Sequence, residues 1–152
     1  EWDWAWLKDD SGPEAFARLG IKGIRFPKYD NTICSGCSYL NNYLLIALMG
    51  AYGKKQFMDV EFLGGKATRS QGGFAKTFLF GKCAIHANKD NHQIQQSVPI
   101  KGCPPTISEI LETLNAQGIP ADDQAYATYR SSLAKRYLNH PDFAEEHFHI
   151  MQ

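Results

Sequence analysis

The sequence predicts an α/β fold, a mainly parallel sheet flanked by helices, and three observations carry that expectation. Short apolar runs of strand character alternate with segments of helical period along the chain. Two helical segments bring their own start and stop residues, Ser11 with Gly20 and Thr106 with Gly118. All four cysteines fall just past strand candidates, where an open α/β sheet gathers its ligand site.

Taken in order, Ser11 to Gly20 carries helix signals, with Ser11 as cap, Pro13 in the first turn and Gly20 as stop. Ile21 to Phe26 alternates as a strand and ends at Pro27. Tyr29 to Ile33 reads as a second short extended piece leading to Cys34-Ser35-Gly36-Cys37. Ser38 to Tyr52 is helical by period, with Leu40, Leu44, Ala47, Leu48 and Ala51 on one face. Leu45, Ile46 and Met49 lie off that face, so the helix is expected to be buried on more than one side. Asp59 to Leu63 reads as a strand closed by Gly64-Gly65, and a loop rich in Gly, Ser and Gln follows through Gly73. Lys76 to Phe80 is a further strand delivering Gly81-Lys82-Cys83. A polar stretch from His86 to His92 separates it from Val98 to Ile100, which delivers Lys101-Gly102-Cys103-Pro104-Pro105. Thr106-Ile107-Ser108-Glu109 fits a capping box opening a helix whose stripe is Ile107, Ile110, Leu111 and Leu114. Gly118 stops it and Pro120 follows. A last helix is expected from Asp122 to Leu138, with Tyr126, Tyr129, Leu133 and Tyr137 inward, closed by Pro141. The tail from Glu145 carries no usable pattern.

The 152 residues suit one domain, read here as 1–152, with a sizeable core. Lys plus Arg number 16 and Asp plus Glu 16, so the basic footprint of a nucleic-acid binder is missing. The most apolar run, Tyr43 to Tyr52, is too short to span a membrane, and the start does not read as a secretory signal. The expected location is cytoplasmic. Three tryptophans stand at positions 2, 4 and 6, and each ring calls for burial. The chain is therefore expected to be a piece of a longer one, with a processed terminus or rings folded onto this domain's own core as the alternatives.

Cys34, Cys37, Cys83 and Cys103 admit two disulfides, a redox dithiol, a zinc site, an iron–sulfur cluster or unrelated thiols. Disulfides require an oxidising compartment. A dithiol at Cys34 and Cys37 leaves Cys83 and Cys103 unexplained in matching glycine-flanked turns. Four-cysteine zinc sites commonly use two Cys-x-x-Cys knuckles, and here there is one pair and two singles. Singles in separate turns suit a cuboidal cluster, whose four irons each take one thiolate, and Pro104 directly after Cys103 fits cluster-binding runs. The reading is a [4Fe–4S] cluster on these four cysteines, with zinc as the alternative. Gly36, Gly81 and Gly102 would let backbone amides approach inorganic sulfide. Lys82 and Lys101 would add positive charge near an anionic cluster, unless they simply face solvent. His86 and His92 could stand beside it, although a polar loop histidine is more often solvated.

Cys34-Ser35-Gly36-Cys37-Ser38, Gly81-Lys82-Cys83-Ala84 and Gly102-Cys103-Pro104-Pro105 resemble, in that order, the proximal-cluster motifs of nickel–iron hydrogenase small subunits. They also resemble the related cluster subunit of respiratory complex I. The resemblance covers about Ile33 to Leu114. It implies a flavodoxin-like domain that carries a [4Fe–4S] cluster and passes electrons to or from a partner. Complex I subunits have adjacent cysteines at the pair, so the hydrogenase pattern is nearer. Hydrogenase small subunits usually place a glutamate soon after the pair, where this chain has Tyr39-Leu40, so hydrogenase activity is not implied. Over most of its length the chain looks like the C-terminal region of uncharacterised proteins of anaerobic bacteria, in which a domain of unknown function precedes this cysteine pattern. That likeness implies a cofactor and a setting but no reaction.

Other motifs carry less. Gly64-Gly65-Lys66 and Gly72-Gly73-Phe74-Ala75-Lys76-Thr77 lack phosphate-loop spacing and read as flexible loop. His147 and His149 read as tail, and Glu145-Glu146 as solvated surface. The expected function is electron relay through one cluster to a redox partner protein or an N-terminal domain of the same chain. Two alternatives remain: a reductive catalytic site completed by such a domain, and a structural zinc domain.

Overall fold

The computed structural model describes residues 16–17, 19–27, 32–52 and 56–133. Four strands form one all-parallel sheet in the order β1-β2-β3-β4: β1 (Lys22–Arg25), β2 (Gln56–Gly64), β3 (Lys76–Phe80) and β4 (Ser97–Ile100). The helices are α1 (Ser35–Tyr52), α2 (Gly81–Ala87), α3 (Ile107–Ala116) and α4 (Asp123–Leu133). This is the expected α/β class, consistent with a flavodoxin-like architecture. Among the described residues no helix is long and apolar enough to cross a membrane.

Strand parity builds the layers. Phe62, Phe78, Phe80, Val98 and Ile100 occupy even positions that the register sets side by side, so they share one face of the sheet. That face packs against Leu40, Leu44, Ala47 and Leu48 of α1 and Ile110 and Leu114 of α3, all buried in one core. Phe62 stacks on Phe78 with ring centroids 4.4 Å apart. The odd positions Leu63 and Leu79 face the other way and pack with Ala84 of α2 in a second, smaller core. Both faces are covered, as a parallel sheet requires.

Helix ends follow the sequence signals where they are described. Thr106 caps α3 reciprocally with Glu109. Gly20 and Gly118 end their helical segments alike: Ile21 N–H donates to Phe16 and Ile119 N–H to Leu114, each across a glycine with φ near +70°. The rest of the Ser11 to Gly20 helix, the Tyr29 piece up to Asn31, the Trp-rich start, Tyr137, Pro141, His147 and His149 lie outside the described residues.

Several boundaries differ from expectation. Thr32 and Ile33 belong to no strand. Helix α1 starts at Ser35 rather than Ser38, and β2 starts at Gln56 rather than Asp59. Cys83 lies in the first turn of a helix, α2, and that helix also takes up His86, expected in a loop. The Gly-Ser-Gln loop is firmly anchored rather than loose: Ser70 is 2 % exposed and its Oγ donates to Glu61 at 2.5 Å.

Candidate metal centre

The C-terminal ends of β3 and β4 deliver two of the four cysteines directly. Phe80 ends β3 and Cys83 follows three residues later; Ile100 ends β4 and Cys103 follows at the same interval. Cys34 and Cys37 come from the start of α1, which reaches the same end of the sheet. The marker is Gly64, the last residue of β2, where an added Cβ would lie 3.4 Å from Asn41 Oδ1 of α1 and 3.5 Å from Ile33.

The three cysteine-bearing turns abut one another. A Cβ at Gly36 would stand 3.2 Å from the Pro104 ring, so the first turn touches the third. A Cβ at Gly81 would stand 3.4 Å from Cys37 Sγ, so the first touches the second. Lys82 N–H donates to the Gly102 carbonyl at 2.9 Å, which joins the second to the third. Gly102 is required in this arrangement. Its φ is +119°, and a Cβ there would meet Pro105 Cα at 2.5 Å. Pro105 is buried, and the Cys103–Pro104 peptide is cis.

The thiols act on one another electrically. Burial, first of all, pushes the Cys37 thiol up to about 12, and negative charge at Cys34, Cys103 and Cys83 works in the same direction. Cys34 is exposed, and its thiol is held below the usual range. The main cause is the Cys37 backbone N–H that donates to its sulfur, followed by the Cys37 thiol doing the same. Cys34 thus stands where a capping side chain stands, and Ser38 N–H donates to its carbonyl at 2.8 Å.

Cys83 is half-buried and Cys103 exposed. Lys82, Lys101 and His86 are exposed, with His86 in the last turn of α2, and His92 lies on the exposed turn beyond it. The abutting turns therefore bring the four cysteines with Gly36, Gly81 and Gly102 into one region. Among the described residues, no group of three or more His, Cys, Asp or Glu side chains is arranged to hold a metal ion. The donor set, four thiols from three adjoining turns, suits iron–sulfur or zinc chemistry.

Behind Cys83 lies a polar cluster with no sequence signal. Glu61 is fully buried and accepts from Arg25 at 2.6 Å, from Ser70 and from Thr77 at 3.1 Å. Ser70 N–H donates to Asn88 Oδ1 at 2.9 Å, and Asn88 Nδ2 donates to the Ala84 carbonyl at 3.0 Å. The chain of bonds runs from the sheet through the loop to the end of the helix that carries Cys83. Comparison with protein-family models, curated proteins and solved structures found no match.

Proposed function

We propose that Cys34, Cys37, Cys83 and Cys103 hold one [4Fe–4S] cluster and that the domain relays single electrons to a partner domain or subunit. The observation that carries the reading is the mutual contact of the three cysteine-bearing turns, through Gly36 with Pro104, Cys37 with Gly81, and Lys82 with Gly102. The motif order, similar to that of hydrogenase small subunits, supports the same cofactor. When bound, the cluster would supply a one-electron couple.

The chain's own residues account for the rest of the role. Cys34 already receives backbone hydrogen bonds that favour its thiolate, the form that ligates iron. The N-terminus of the 18-residue helix α1 adds a favourable field for an anionic group beside it. Pro105 and the half-buried Cys37 and Cys83 shield the inner side, whereas the exposed Cys34 and Cys103 leave an outer side within reach of a redox partner. We place the protein in the cytoplasm, in an anaerobic setting, as a component of an oxidoreductase.

Anaerobic purification followed by iron, sulfide and zinc analysis, with EPR after reduction, tests the reading. About four irons and four sulfides per chain, with a reduced-cluster EPR signal, are expected. One zinc and no sulfide would replace it with a structural zinc domain. A reduced EPR signal perturbed by an added small-molecule substrate would move the role from relay to catalysis.

A further inference from the structure

At the opposite end of the sheet from the cysteines, a cavity of about 320 Å³ opens beside the first residues of β2 and β3. Its size falls in the range of small-ligand sites, roughly 300–1,000 Å³. A break in strand alternation shapes it. Phe57 and Val60 are three apart and would ordinarily face opposite sides of β2, yet both are buried in the same core. Between them Asp59 takes φ +50°, and the pairing of β1 with β2 slips there, from Lys22 opposite Gln56 to Ile24 opposite Val60. The bulge turns both side chains into the cavity wall, and Tyr52 stacks on Phe57 with centroids 3.6 Å apart.

Apolar wall and single charge then define what the cavity accepts. Phe57, Val60 and Ile119 are buried lining residues, while Met58 at the rim is 86 % exposed, a large apolar side chain left for a ligand to cover. Among the described lining residues Lys76 brings the one charge. Its partly buried ammonium makes a long 3.4 Å hydrogen bond to the Gln117 carbonyl and retains capacity to donate further. Among the described residues no carboxylate lines the cavity, so an entering anion meets a cation without a competing acid.

We propose that this cavity is a binding site for a small amphiphilic carboxylate, with its apolar body against Tyr52, Phe57 and Val60 and its carboxylate on Lys76. The site is separate from the cysteines and holds whether or not they carry a cluster. The acid's charge supplies the selectivity, because an ion-assisted hydrogen bond to a partly desolvated ammonium exceeds a neutral one.

Ligand-observed NMR titration of the full chain with 3-phenylpropionate, and in parallel with the neutral 3-phenylpropionamide, tests it. Saturable binding of the acid is expected, with the amide about tenfold weaker. Lys76→Met should remove the preference for the acid while leaving amide binding. Ala75→Trp, at an exposed lining position, should close the mouth and abolish both. Lys89→Met, an exposed lysine elsewhere, should change neither. Equal affinity for acid and amide in the unaltered protein overturns the proposal without recourse to any variant. So does unsaturable binding, or binding that survives Ala75→Trp.

Discussion

The backbone N–H of Lys82 donates to the carbonyl of Gly102 at 2.9 Å, so the residue before Cys83 is tied to the residue before Cys103. Gly102 itself has φ +119°, and an added Cβ would sit 2.5 Å from Pro105 Cα. Gly102→Ala is therefore expected to cost about 2–3 kcal/mol or more in urea unfolding, from backbone strain and the clash together. Iron retention after anaerobic loading should fall with it. Gly73→Ala is the comparison, because Gly73 also has positive φ, at +86°, but open space around it. It should lose only about 1 kcal/mol and keep its iron.

The metal-free thiols should differ in reactivity in the order their surroundings dictate. Cys34 is exposed and held below the usual thiol range, so at neutral pH it carries more thiolate than an ordinary cysteine. Cys37, half-buried and raised to about 12, carries almost none. Iodoacetamide with peptide mass spectrometry should label Cys34 well before Cys37 between about pH 7 and 8. Raising the pH should speed Cys37 far more than Cys34. Equal rates at the two positions would contradict this account of the pair.

Much of this fold was legible because its signals are local. The capping box at Thr106, the glycine stops at Gly20 and Gly118 and the strands around Phe78 and Val98 each depend on residues a few positions apart. The meeting of Cys83 and Cys103 was legible through a topological rule, since strand ends of a parallel sheet share one end, whereas Cys34 and Cys37 follow no described strand and arrive on the start of α1. What was not legible depended on distant partners. Glu61 sits in Asp-Val-Glu-Phe-Leu like an outward-facing charge, and its burial comes from Arg25, Ser70 and Thr77. The early start of β2 was hidden by the bulge at Asp59, which spoils the alternation. Helix α2 is seven residues long, begins on glycine and has no side-chain cap, so no start signal announces it.

Removing the Glu61 carboxylate should be among the most costly single changes in the chain. Glu61→Ala leaves the Arg25 guanidinium without its partner and the Ser70 and Thr77 hydroxyls without their acceptor. The Arg25 side chain is 31 % exposed, so water offsets part of its loss, and the two buried hydroxyls left without an acceptor bring the cost to about 2–4 kcal/mol, read from urea midpoints at constant m. Asn88→Ala removes the next link and should cost about 1–3 kcal/mol. Its effect should add to that of Glu61→Ala by less than the simple sum, because both act through Ser70. A double-mutant cycle measures that coupling.

The start of α3 gives a pH dependence of known sign. The Glu109 carboxyl is held below the usual range, chiefly by the Thr106 backbone N–H and then by its hydroxyl. Its folded pKa is thus depressed relative to the unfolded chain. The stabilisation it gives is complete above the unfolded value, about 4.3, and is lost as pH falls through the lower folded value. Between about pH 6 and pH 3 the unaltered protein should therefore lose more stability than Glu109→Gln, whose side chain does not titrate there. Thr106→Ala, which takes away the capping oxygen, should cost about 1 kcal/mol at pH 7. That variant should also flatten the acid limb, because Glu109 then loses one of the two partners that depress it. Parallel acid limbs for all three proteins would show that the box does not govern this transition, and urea midpoints measured at each pH decide it.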